Sequence, residues 1–128
     1  MTEAQPVAAV VDDEPEMRKA IRRLLATRGI RVEEYERGDE FLAALGSRPL
    51  LCVLLDLHMP GVNGFQVLES LSIQRNCVPV IVITAHDEPG TAERVRALGA
   101  CAYLKKPVER NDLFAAIAEA TTLFRTRS

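Results

Sequence analysis

The chain has no tryptophan, only two histidines and two tyrosines, and three cysteines in 128 residues. Three cysteines cannot all pair with one another. Cys52 lies in an apolar run, Cys77 in a polar connector and Cys101 beyond Gly99, and no CxxC pair occurs. That pattern excludes a disulfide framework and a zinc cluster and predicts three reduced thiols. There is no surplus of one charge, because 16 Lys and Arg face 18 Asp and Glu for a net charge of -2. A dedicated nucleic-acid binder or a polybasic membrane-surface protein carries a basic excess, so neither is expected. Long apolar runs are missing too, and stretches such as Leu50–Leu55 fall far short of a bilayer span. Met1–Pro6 lacks the basic start and apolar centre of a signal peptide. A soluble, cytoplasmic protein without membrane insertion or direct nucleic-acid contact is the expectation. Neither GxGxxG nor GxxxxGK[ST] appears, and there is no internal repeat or low-complexity segment.

What is present is ordinary globular material, with 48% hydrophobic and 27% charged residues. A chain of this length suits one domain, residues 1–128 with a core over about 6–124, burying roughly two-thirds of its unfolded surface. Short apolar runs alternate with helix-period segments. Val7–Val11 predicts a strand and Glu14–Arg28 a helix, with Met17, Ile21, Leu24 and Leu25 on one stripe. Pro15 suits the first helical turn and Gly29 the position past the end. Arg31–Tyr35 is a weaker strand, and Phe41, Leu42 and Leu45 mark a short helix. Leu50–Leu55 is a second apolar strand, followed by Asp56, a turn at 59–64, and a helix carrying Phe65, Leu68 and Leu71. Val80–Ile83 is a third apolar strand, ending at Thr84. Val95 and Leu98 lie on a helix that stops at Gly99, and Ala102–Leu104 is a final strand. Leu113, Ile117, Ala120 and Phe124 form the stripe of the last helix.

Five strand-then-helix units predict an α/β fold, a doubly wound five-stranded parallel sheet with five helices. Central strands of such sheets are buried on both faces and read as unbroken apolar runs. The first, third and fourth strands do so. The second carries Glu33 and Glu34 and the fifth is short, so these two are the edges. The order 2-1-3-4-5 with right-handed crossovers satisfies this, and it is the flavodoxin-like order.

Open parallel sheets put their sites at the carboxyl ends of the strands, where the order reverses. Asp12 and Asp13 end the first strand, Asp56 the third and Thr84 the fourth, and Lys106 follows the fifth. All five therefore converge on one sheet edge. Gathered carboxylates repel, so some stay protonated or a cation neutralises them. Oxygen donors without a His or Cys cluster favour a hard ion such as Mg²⁺. With a lysine and a hydroxyl alongside, the set suits a phosphoryl group, and the central Asp56 could accept it as nucleophile.

These residues carry a resemblance. Val-Val-Asp12-Asp13-Glu, Leu-Leu-Asp56-Leu-His-Met-Pro-Gly, Val-Ile-Thr84-Ala and Gly-Ala-x-x-Tyr103-Leu-Lys-Lys106-Pro107 resemble the receiver domain of bacterial two-component response regulators, in order and over nearly the whole chain. The resemblance implies that Asp56 accepts a phosphoryl group from a sensor histidine kinase or phosphotransfer protein. It implies Mg²⁺ held by Asp12, Asp13, Asp56 and the backbone carbonyl of His58. Lys106 would pair with Asp56, Thr84 would shift onto the phosphoryl, and Tyr103 would act as the switch. Pro107 would follow a cis bond. The surface of the fourth helix, fifth strand and fifth helix would meet an output domain or protein, or a second copy in a homodimer. Such a chain is a signalling switch that modifies itself, not an enzyme with a separate substrate.

Plainer readings stand beside these. Asp12 and Asp13 could only cap a helix, Lys106 could be surface charge, and Tyr103 could be a core aromatic with a bonded hydroxyl. His58 and His86 each follow a site residue by two positions; lining the cleft mouth and tuning phosphoryl lifetime fits them better than metal ligation. A flavin or nucleotide module is disfavoured by the acidic turn Asp12-Asp13-Glu14-Pro15, which repels phosphate. A Mg²⁺-dependent phosphatase with an aspartyl-phosphate intermediate would want Asp-x-Asp, where this chain has Asp56-Leu57-His58. A degenerate receiver acting only as a binding module is the remaining alternative, although every chemical position is filled.

Overall fold

The computed structural model describes residues 5–46 and 49–127, with side chains through residue 122. The elements run β1 (Val7–Val11), α1 (Pro15–Ala26), β2 (Arg31–Tyr35), α2 (Gly38–Leu45), β3 (Cys52–Asp56), α3 (Gly64–Ile73), β4 (Val80–Thr84), α4 (Thr91–Ala97), β5 (Ala102–Lys105) and α5 (Arg110–Arg127). All strand pairings are parallel and the sheet order is β2-β1-β3-β4-β5. The expected order and edges are therefore the observed ones.

Alternation along the strands divides the core in two. Ala8 and Val10, Cys52 and Leu54, and Ile81 and Ile83 join Ile21 and Leu25 of α1 and Leu113, Ile117 and Ala120 of α5. Ala9 and Val11, Val53 and Leu55, and Val80 and Val82 join Phe41 of α2, Val67, Leu68 and Leu71 of α3 and Val95 of α4. Met17 and Leu24 complete the α1 stripe as half-buried neighbours. The side chain of Phe124, expected on the α5 stripe, lies outside the described residues.

Boundaries shift by a residue or two. The third strand begins at Cys52 rather than Leu50, in register with Ala8 of β1, and the Leu51 amide before it donates to the Val7 carbonyl at 2.8 Å. The ladder continues to Asp56, Thr84 and Lys105, each one residue beyond its predicted apolar run. α1 is shorter than expected at both ends, from Pro15 to Ala26 with Gly29 at φ 72° in the following turn. At α3 the Asn63 side chain takes the Gln66 amide at 3.0 Å and the Gln66 side chain takes the Asn63 amide at 2.8 Å. This reciprocal cap fixes the start of the helix that follows the β3 loop. No helix among the described residues is long and apolar enough to cross a membrane.

Candidate functional site

The order reverses between β1 and β3, and their carboxyl ends bring Asp12 and Asp56 side by side. Carboxylate oxygens of Asp12, Asp13 and Asp56 all lie within 4.8 Å of one another. Asp12 and Asp56 are buried at 2% and 4% exposure, which makes them, with Thr84, the buried polar residues of the described chain. Burial of ionised groups in such proximity is unfavourable without compensation. The local backbone supplies part of it: the Glu14 amide donates to Asp12 at 2.9 Å, and the His58 amide approaches Asp56 at 3.4 Å. The guanidinium of Arg18 donates to the Asp12 carbonyl at 2.7 Å.

Lys106 supplies the positive charge. Its Nζ is 2.9 Å from Asp12, 2.8 Å from Glu14 and 3.8 Å from Asp56. The Lys106–Pro107 peptide bond is cis. The acidic partners raise the Lys106 pKa against the opposing effect of burial. The lysine holds the exposed Glu14 carboxyl below its usual range, by hydrogen bonding first and charge second. Asp56 goes the other way, pushed up to about 7 by burial and then by the Asp12 charge, with Lys106 pulling against both. A divalent cation among the three carboxylates would relieve that strain. The all-oxygen donor set suits a hard ion, and the geometry fits one.

Thr84 is fully buried at the end of β4. Its hydroxyl accepts the His86 amide at 3.0 Å and donates to the His86 carbonyl at 3.3 Å. Tyr103 is half-buried against the α3/α4 side of the core, and its hydroxyl donates to Asp87 at 2.8 Å. The exposed rings of His58 and His86 meet edge to face with centroids 4.9 Å apart, one from each loop flanking the acidic pocket. Lys105 does not share the site of its neighbour; it points to Asp87 at 3.2 Å.

Asp12, Asp13, Asp56 and Lys106 thus form one cluster, with His58 at its rim. Thr84 and Tyr103 occupy the adjoining strand ends, tied to the 86–87 segment. Two residues had no assigned role in the sequence reading: Glu14 as a partner of Lys106, and Asp87 as the partner of Tyr103. Adjacency to the Asp pair hints at the first. No spacing rule points to the second, because the contact joins β5 to the loop after β4.

Comparison with known proteins agrees with this architecture. Residues 8–118 match the response regulator receiver domain family. The chain is 34% identical over 116 residues to the DNA-binding transcriptional regulator NtrC of Salmonella typhimurium, covering 91% of this chain and 25% of that protein. It is 33% identical over 111 residues to the transcriptional regulatory protein FixJ of Bradyrhizobium diazoefficiens, covering 87% and 54%. It therefore spans between a quarter and about half of these relatives. Among solved structures, response regulator StyR superposes with a TM-score of 0.88 at 33% identity over 97% of this chain and 63% of that one. The FixJ-N structure gives 0.84 at 28% identity over 94% and 96%. Motif order, fold and sequence similarity converge: the chain belongs to the receiver domain family of two-component response regulators.

Proposed function

We propose that this chain, residues 1–128 acting as one receiver domain with its core over about 6–124, takes a phosphoryl group onto Asp56 from the phosphohistidine of a sensor kinase or phosphotransfer protein. The observation that carries this reading is the buried Asp56 set against Asp12 and Asp13 within 4.8 Å, with Lys106 alongside. An Asp56 carboxylate oxygen attacks phosphorus. The phosphorus–nitrogen bond of the donor breaks, its electron pair leaves with the imidazole, and an acyl phosphate forms on Asp56. Asp12, Asp13 and Asp56, with the His58 carbonyl, would hold Mg²⁺, which when bound neutralises phosphoryl oxygens and lowers the repulsion on the incoming group. Lys106 is placed to trade its contacts with Glu14 and Asp12 for the new phosphoryl oxygens. Thr84 would release His86 and donate to a phosphoryl oxygen.

Hydrolysis later returns the carboxylate, so the chain is a self-modifying switch and not an enzyme acting on a separate substrate. Tyr103 and the α4-β5-α5 face would carry the change to an output domain or protein, or to a second copy. The relatives named as transcriptional regulators support an output partner of that kind. The reading puts the chain in the cytoplasm, without membrane insertion or direct nucleic-acid contact of its own. Intact-mass measurement after acetyl phosphate treatment tests it. One phosphoryl adduct is expected with Mg²⁺, much less without it, and none for Asp56→Asn. A wild-type protein that stays unmodified with Mg²⁺ overturns the proposal.

A further inference from the structure

The Tyr103 hydroxyl is fastened to one exposed side chain. Asp87 accepts it at 2.8 Å on one carboxylate oxygen, while the other faces Lys105 Nζ at 3.2 Å. Tyr103 and Lys105 are two residues apart on β5 and so project to the same face. One carboxylate thus clasps two successive same-face side chains of an edge strand. Resting on the receiver reading above, we propose that Asp87 is a latch, a positioning residue that holds the Tyr103 hydroxyl at the surface until Asp56 is phosphorylated.

The release is built into the same loop. Thr84 pairs with Lys105 across the β4–β5 ladder, and its hydroxyl makes both a donor and an acceptor contact with the His86 backbone. Residues 84–87 are therefore a short hook closed on Thr84, with Asp87 directly after the closing residue. A Thr84 hydroxyl that turns to a phosphoryl oxygen gives up both contacts, and the hook opens at the residue before Asp87. The carboxylate then leaves Tyr103, and the ring is free to move into the space that Thr84 vacates. Coupling of this sort requires that the two states differ in specific contacts, and the Asp87–Tyr103 bond is such a contact. The bond is charge-assisted, and the Lys105–Asp87 pair on the other oxygen aims the carboxylate. The Tyr103 hydroxyl is also harder to ionise, with a pKa of about 12, from burial first and the Asp87 hydrogen bond second.

The chain has two tyrosines, so 3-fluorotyrosine labelling gives two fluorine resonances, assigned with Tyr103→Phe. In wild type, Mg²⁺ with beryllofluoride is expected to move the Tyr103 resonance. In Asp87→Ala without beryllofluoride, that resonance is expected to lie part way toward the moved position, for an inward-to-outward ratio raised about tenfold. Asp87→Glu restores the wild-type position. Acetyl phosphate labelling of Asp56 speeds up several-fold in Asp87→Ala, and the same change in a Tyr103→Phe background leaves the rate as it is, because the latch has nothing to hold. A wild-type resonance that moves with beryllofluoride, beside an Asp87→Ala resonance at the resting wild-type position, overturns the latch and leaves the receiver reading intact. A wild type that neither moves nor takes up phosphoryl overturns both.

Discussion

Lys106 sits closer to Asp12 than to Asp56, at 2.9 Å against 3.8 Å. In this arrangement the lysine neutralises Asp12 and leaves Asp56 short of partners. On the proposed reading it would therefore compete with a cation for the pocket and serve the phosphoryl group on its arrival. Lys106→Met removes the charge and keeps most of the stem packing. Mg²⁺ affinity is expected to rise by about tenfold, since a competing positive charge is gone. Acetyl phosphate labelling is expected to fall by at least about tenfold for loss of an electrostatic partner of the transferring group. Amide chemical-shift titration measures the first, because the chain has no tryptophan to quench. Unchanged Mg²⁺ affinity would show that Lys106 and the cation do not share the pocket.

Asp56 sets a second expectation. Its folded pKa, about 7, stands above the ordinary carboxylate value of 3.8 because of burial and the Asp12 charge. The folded state therefore binds more protons than the unfolded state between roughly pH 4 and pH 7. By linkage, stability falls as pH rises through that window, and the cost is complete above the folded pKa. For the Mg²⁺-free protein this amounts to ~2–4 kcal/mol. The check is urea unfolding of wild type and Asp56→Asn across the window. The wild type should lose stability relative to the variant as pH rises, and saturating Mg²⁺ should flatten the difference. Parallel pH profiles for the two proteins would contradict the assignment.

The layout was legible where physics acts locally. Val7–Val11, the run after Leu50 and Val80–Ile83 are unbroken because both sheet faces are covered, and Glu33 and Glu34 survive because β2 is an edge. Glu34 is moreover paired with Arg18 and Arg22 of α1, a contact no strand pattern encodes. The convergence of Asp12, Asp13, Asp56 and Lys106 followed from topology alone. What stayed hidden depends on side-chain reach. Glu14 meets Lys106 across a separation of 92 residues, and Asp87 meets Tyr103 across 16. Each is an exposed acid in a loop, where composition cannot tell a solvated charge from a bonded one.

Gly64 supports the site from beneath. A Cβ there would lie 2.6 Å from the Asp56 carbonyl oxygen and 2.7 Å from the Leu57 Cα. Both contacts are with backbone, so no side chain can turn away. The Gly64 amide also donates to the Leu57 carbonyl at 3.0 Å, stitching α3 to the end of β3. Gly64→Ala is expected to destabilise the fold by about 1–3 kcal/mol, as overpacking does. Because the push falls on Asp56, phosphoryl uptake should drop more than the folded fraction does. Denaturant unfolding beside labelling rates separates the two effects, and a variant of wild-type stability would refute the close approach.

His58 and His86 give the last test. Their rings meet at 4.9 Å between centroids with an interplanar angle of 88°, bridging the loops after β3 and β4. Both side chains are exposed, as is Ala85 between the β4 end and His86. On the proposed reading they would flank the path by which water reaches an acyl phosphate on Asp56. Truncating either ring also frees the other, so the single variants should behave alike and the double variant should add little. His58→Ala, His86→Ala and the pair are each expected to shorten the phosphoryl lifetime several-fold, because a hydrolytic water then needs no ring movement to reach phosphorus. Phosphate release from pre-labelled protein measures the lifetime, and Mg²⁺ affinity serves as the control, since alanine keeps the residue 58 carbonyl. A double variant with the wild-type lifetime would remove the rings from any part in hydrolysis. A change in lifetime that tracks a loss of Mg²⁺ affinity would instead place their effect on the metal site.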